Sequence, residues 1–164
     1  MGTSAGGNLA LAVTNSLILQ GSRSKIRGVV VLNALTSHGE GIPSEYQDLH
    51  TSYFENATDV PMVDKHFLDL TMEMTKLKPS DTHAFATLSP CLKEFPRTWI
   101  ATSEKDVLRD DGIVLEKMLV AQNVGVKRKH YLGFGHCFWV FPQLPKRQEF
   151  LEDVVEGIAF VLQE

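Results

Sequence analysis

Gly2-Thr3-Ser4-Ala5-Gly6 opens the chain with a serine that has a glycine two residues to either side. That spacing restricts the local fold. It suits a sharp turn in which a strand runs straight into a helix and the serine hydroxyl is pushed into the open. On this reading positions 2 and 6 are glycine because side chains there would collide across the turn and only glycine tolerates the backbone angles. The residues that follow supply the helix: Leu9-Ala10-Leu11-Ala12-Val13 and Leu17-Ile18-Leu19 are good helix formers and read as a buried helix ending near Gly21. Gly28-Val29-Val30-Val31-Leu32-Asn33 is then a continuous β-branched run. Such a run fits a strand covered on both faces, as in a parallel sheet between helices. A helix followed by a buried strand is the rhythm of an α/β fold.

The rhythm stops between residues 36 and 87. This stretch is polar and carries Gly39, Gly41, Pro43, Pro61 and Pro79. Within it, Val63 to Met74 is amphipathic, with Phe67, Leu68, Leu70 and Met74 on one expected helical face. A long insertion between strands is functional, disordered or a lid, and a lid or cap is expected here. Tyr46, Tyr53, Phe54, Phe67, Met72 and Met74 either line an apolar pocket beneath it or simply pack it onto the body. Regularity returns with a strand over Pro96–Thr102, an amphipathic helix over Gly112–Gln122 and a strand over Val126–Tyr131. A closing helix over Phe150–Leu162 carries Leu151, Val154, Val155, Ile158 and Val161 as its apolar stripe.

Bulk properties exclude several classes. The length of 164 residues suits one domain with a real core. The net charge of −4 and the lack of a basic stripe argue against nucleic acid as a partner. Lys127-Arg128-Lys129 reads as a solvated strand edge. No apolar run is long enough to span a bilayer, and no secretion signal is recognisable. Cys91 and Cys137 have neither a disulfide framework nor metal spacing, so reduced thiols and a cytoplasmic location are expected. The sequon Asn56-Ala57-Thr58 is read as chance.

An exposed serine hydroxyl is a poor nucleophile until a base takes its proton, and the base needs a partner to fix its tautomer. In a strand–turn–helix setting the chain order is serine, acid, histidine, with the partners in loops at the carboxyl ends of later strands. Asp106 follows the Pro96–Thr102 strand and is the acid expected on these grounds. Asp110 and Asp111 compete, but they sit where a helix N-cap or first-turn carboxylate is routine; Glu104 is a further rival. His136, in Gly133-Phe134-Gly135-His136, follows the last strand directly and is the expected base. The other five of the six histidines lie in or near the insertion (His38, His50, His66, His83) or within a strand (His130).

Taken together, Gly2-Thr3-Ser4-Ala5-Gly6-Gly7-Asn8, Asp106-Val107-Leu108-Arg109-Asp110-Asp111-Gly112 and Gly133-Phe134-Gly135-His136 resemble the hormone-sensitive-lipase-type branch of the α/β-hydrolase family, which includes many carboxylesterases. Leu88-Ser89-Pro90 also matches the family's habit. The resemblance implies a partial α/β-hydrolase fold: residues 1–164 as one N-terminally truncated domain, with 36–87 as a lid-like insertion. It implies a serine carboxylesterase with Ser4 as nucleophile, His136 as base, Asp106 as acid and the Ala5 N–H as one oxyanion donor. The implied substrate is a small-to-medium apolar ester, with no metal or organic cofactor.

Three departures accompany the resemblance. Thr3 stands where the family usually has Asp. The family's His-Gly-Gly oxyanion motif lies upstream of the serine, and His38-Gly39-Glu40-Gly41 is in the wrong loop to replace it. The strand feeding the serine is expected to be missing, which would leave the Val29–Leu32 strand with an exposed edge and apolar face. Two alternatives stay open: a non-catalytic ligand-binding member of the same fold, or an inactive truncated one.

Overall fold

A computed structural model describes residues 1–163. Four parallel strands form one sheet in the order β1 (Gly2–Thr3), β2 (Gly28–Leu32), β3 (Arg97–Lys105), β4 (Val126–Gly135). The helices are α1 (Ala5–Leu19), α2 (Ser52–Glu55), α3 (Lys65–Thr75), α4 (Arg109–Ala121) and α5 (Lys146–Leu162).

Strand alternation sorts the core into two layers. Val29 and Val31 of β2 and Ile100 of β3 meet Leu11 and Ile18 of α1 and Leu115 and Leu119 of α4. Val30, Leu32, Trp99 and Ala101 face the other way, toward Tyr131 of β4 and Phe150, Val154 and Val161 of α5. The expected α/β sandwich is therefore present. A third cluster, with Leu35, Leu68, Phe85, Val107 and Leu108, lies between the insertion and the carboxyl end of the sheet.

Several local expectations are corrected. The strand that feeds the serine is short but present: Gly2 and Thr3 pair with Val31 and Leu32. Val29 through Leu32 are all buried, so the apolar face of β2 is not exposed. Packing does most of the anchoring. Leu11 and Ile18, at 0% and 5% exposure, contribute about 1.5–3 kcal/mol each by burial. A backbone hydrogen bond adds only about 0.5–1.5 kcal/mol.

Helix α1 is not buried all round, since Leu9, Val13 and Leu19 face outward. In α3 the buried position is Leu68, with Met72 half-buried, while Phe67, Leu70 and Met74 are exposed. In α5 the buried stripe is Phe150, Val154, Gly157 and Val161, and Leu151 and Val155 point outward. The register of α5 is set by close approach: a Cβ on Gly157 would lie 2.5 Å from the Trp99 ring. Apolar patterning cannot detect a helix that packs through a missing side chain.

Candidate active site

Ser4 sits between β1 and α1 at φ 52°, ψ −121°, a backbone region strained for any residue with a side chain. The turn is pinned from both sides. The Ser4 N–H donates to the Leu32 carbonyl at 2.9 Å, and the Ser4 carbonyl accepts from the N–H groups of Gly7 and Asn8. Of the two glycines expected to be sterically required, only Gly2 is. A Cβ on Gly2 would lie 2.0 Å from the Gly6 carbonyl oxygen, whereas a Cβ on Gly6 would meet nothing within 4 Å. The second position that excludes a side chain is Gly7, where a Cβ would lie 2.5 Å from that of Ala34. Neither Gly2 nor Gly6 has a positive φ, so the strain of the turn is carried by Ser4 itself.

β4 runs on to Gly135 and delivers His136 to the same end of the sheet. His136 Nε2 lies 3.0 Å from Ser4 Oγ, and its Nδ1 lies 2.9 Å from Asp106 Oδ2. His136 is 2% exposed and Asp106 0%. Asp106 follows β3 and is held at several points. Its Oδ1 accepts the Leu108 N–H at 2.9 Å, and its carbonyl accepts from the Asn56 side-chain amide at 3.0 Å. The sequon asparagine is thus buried and committed to the loop that carries Asp106. Behind His136 the rings of Tyr131, Phe134, Phe138, Trp139 and Phe150 pack into one cluster, giving its loop a rigid seat.

Burial on its own lowers the His136 pKa. The Asp106 carboxylate, and to a lesser degree the neighbouring Cys137 sulfur, reverse that and hold it above the usual imidazole range. The geometry suits passage of the Ser4 hydroxyl proton to Nε2, with the resulting imidazolium facing a carboxylate.

Ser4 opens on a cavity of about 90 Å³ lined by Ala5, Leu35, Val63, Phe67, Leu68 and Thr71, together with Leu108. Through Ala5, Leu35 and Thr71 it adjoins a largely apolar trench of about 480 Å³ that runs between α1 and α3. Phe67 and Met72 therefore line cavities, as one of the two readings requires, but Phe54 and Met74 point to solvent at 79% and 74% exposure.

The rival acids are occupied elsewhere. Glu104 accepts the Gly133 N–H at 2.7 Å, which holds its pKa below the usual carboxylate range. Asp110 and Asp111 lie in the first turn of α4 but do not cap it; the N-cap is Leu108, with no side-chain bond. Both are buried and reach across to the insertion instead. Asp110 accepts from the N–H groups of Thr51 and Ser52 at 2.8 and 2.6 Å. Asp111 accepts from those of Thr36 and Ser37 at 2.7 and 3.0 Å.

Among the other histidines, His50 contacts Asp111 and His130 contacts Thr102. The basic strand edge is engaged locally: Arg128 pairs with Glu116, Lys129 pairs with Asp153, and Lys127 lies over the Phe160 ring. Among the described residues no helix is long and apolar enough to cross a membrane.

A parallel sheet sandwiched by helices, with Ser4, Asp106 and His136 converging in that chain order at its carboxyl end, defines an α/β protein. The chain belongs to the α/β-hydrolase fold family, whose sequence profile matches residues 1–140. It is 35% identical to the versiconal hemiacetal acetate esterase of Dothistroma septosporum over 164 residues, covering 99% of this chain and 50% of the relative. Its fold is similar to that of vibralactone cyclase, with a TM-score of 0.88 at 26% identity over 98% of this chain and 48% of the other. It is also similar to brefeldin A esterase, described as a bacterial homologue of human hormone-sensitive lipase, with a TM-score of 0.81 at 27% identity over 96% of this chain and 45% of that one. The chain thus spans about half the length of the relatives it matches.

Proposed function

We propose that this protein is a serine carboxylesterase that works through an acyl-enzyme on Ser4. The observation that carries the reading is the continuous chain Ser4 Oγ–His136–Asp106, at 3.0 and 2.9 Å, built on a serine whose backbone is strained outward. Ser4 Oγ attacks the ester carbonyl while His136 Nε2 takes its proton. Asp106 steadies the imidazolium through Nδ1–H, and the Ala5 N–H donates to the oxyanion. Collapse of the tetrahedral intermediate transfers the Nε2 proton to the departing alkoxide, which leaves as an alcohol, with the acyl group on Ser4. Water, deprotonated by His136, then attacks the acyl carbonyl. The second collapse returns that proton to Ser4 and releases the acid.

The substrate is a small-to-medium apolar ester. The small cavity at Ser4 and the apolar trench beside it support this, as does the relative named for a hemiacetal acetate. Residues 36–87 act as the lid: α3 and the segment before it contribute Val63, Phe67, Leu68 and Thr71 to the wall over Ser4. Two buried free thiols, Cys91 and Cys137, support work in a reducing, cytoplasmic setting. Hydrolysis of p-nitrophenyl acetate and longer acyl homologues tests the reading. Turnover that disappears in Ser4→Ala supports it, and turnover that persists in that variant refutes it.

A further inference from the structure

Asp106 has a second side-chain partner that the serine–histidine–aspartate scheme does not use. Asn33 follows β2 directly, and its side-chain amide donates to Asp106 Oδ2 at 2.5 Å. This is the same oxygen that takes His136 Nδ1. A second donation from the amide, to Ser103 Oγ at 3.1 Å, fixes its orientation. Asn33 is 1% exposed, and its backbone N–H donates to the Ala101 carbonyl, so it bridges the carboxyl ends of β2 and β3 beneath the acid.

We propose that Asn33 is a positioning residue for this site, a reading that rests on the assignment of Ser4, His136 and Asp106 above. Asp106 Oδ1 is held by the Leu108 N–H and Oδ2 by the Asn33 amide. Together these fix the carboxylate plane, so the remaining direction on Oδ2 faces His136. A carboxylate held at only one oxygen rotates, and its bond to the imidazole weakens. The backbone of Asn33 is left-handed, with φ 46°. Asparagine tolerates that conformation, but so does glycine; the conformation alone does not call for a buried amide donor against the acid. That difference separates the two roles experimentally.

The test measures the rate of fluorophosphonate labelling of Ser4 as a function of pH in the native chain, Asn33→Gly, Asn33→Asp and Asp106→Asn. Asn33→Gly keeps the left-handed backbone and removes the donor. Asn33→Asp keeps the shape and turns the donor into a carboxylate. The expected result is labelling slowed about 10- to 100-fold in both Asn33 variants, with the acid limb of the Asn33→Gly profile moved down in pH, toward that of Asp106→Asn. A purely structural asparagine would not move that limb.

Native labelling and slowed Asp106→Asn, together with an Asn33→Gly profile that overlays the native one, would overturn the positioning role and leave the triad standing. Absence of native labelling, or a native rate in Asp106→Asn, would overturn the triad itself. A measurement on the native chain needs no variant: the Asn33 side-chain amide ¹⁵N resonance is expected to titrate with the same midpoint as His136. A flat trace through that midpoint overturns the proposal.

Discussion

His50 Nε2 lies 3.1 Å from Asp111 Oδ2, forming a second buried histidine–carboxylate pair in the same chain as His136 and Asp106. The two pairs differ in what surrounds them. Asp111 also accepts from the N–H groups of Thr36 and Ser37, the first residues of the insertion, and the Thr36 carbonyl in turn accepts from Thr87 at its far end. The His50 pair therefore fastens the neck of the insertion to α4. Asp111→Asn places an NH₂ group or a weaker acceptor against those N–H groups and is expected to cost about 1–3 kcal/mol. Tm and limited proteolysis within residues 36–52 are the readouts. A variant with native Tm and native protease resistance would show that Asp111 does not hold the insertion.

Removing either end of the proton relay should remove the chemistry and spare the fold. Ser4→Ala and His136→Ala are each expected to lower kcat by about 10⁶-fold, the scale set by serine and histidine deletions in other hydrolases. Circular dichroism should stay native. Ser4→Gly adds a thermodynamic check. It relieves a backbone at φ 52°, ψ −121°, which costs of order 1–3 kcal/mol for a residue with a side chain. It should therefore melt above Ser4→Ala, and equal melting temperatures would argue that the turn stores no strain.

Asp106→Asn is expected to reduce kcat about 10⁴-fold and to change its pH dependence in a defined direction. Proton transfer from Ser4 needs neutral His136, so activity is lost as pH falls through the His136 pKa. Asp106 raises that pKa against the opposing effect of burial. Removing the carboxylate charge should move the acid limb to lower pH; a limb that stays put or rises contradicts the pairing. The same shift has a stability counterpart of fixed sign. Because the folded pKa is raised, the His136–Asp106 contribution is fully present below the unfolded pKa and is lost as pH rises through the folded one.

The two glycines after the serine should respond differently to alanine. Gly7→Ala forces a Cβ to within 2.5 Å of Ala34 Cβ and is expected to cost about 1–3 kcal/mol by overpacking. Gly6→Ala meets nothing within 4 Å and should fold with native stability. Urea midpoints of the two variants decide it, and the reverse ranking would mean that α1 does not pack closely against Ala34 through Gly7.

The site was more legible in the sequence than its support. Asp106 and His136 can be singled out because each follows a recognisable apolar strand, and Ser4 because glycines flank it and an apolar helix follows it. The β2 run is legible because burial on both faces demands unbroken apolar residues. Asn33 carried a weaker signal, a polar residue closing an apolar strand at the end of the sheet where α/β sites gather. Its contact with Asp106 spans 73 positions, and no periodicity encodes such a contact. Asp110 and Asp111 were masked by their place at a helix start, where a carboxylate needs no further explanation. The buried stripe of α5 departs from its apolar pattern for a geometric reason. Gly157 packs against Trp99 by lacking a side chain, which turns the flanking Leu151 and Val155 outward.

Esterase chemistry in this chain requires the serine, histidine and aspartate to act as one unit. Fluorophosphonate labelling of the 164-residue protein, read by intact mass and peptide mapping, tests that most directly. One stoichiometric adduct is expected, on Ser4, and it is lost in His136→Ala. A folded chain that takes no adduct, or takes it on a different residue, would contradict it.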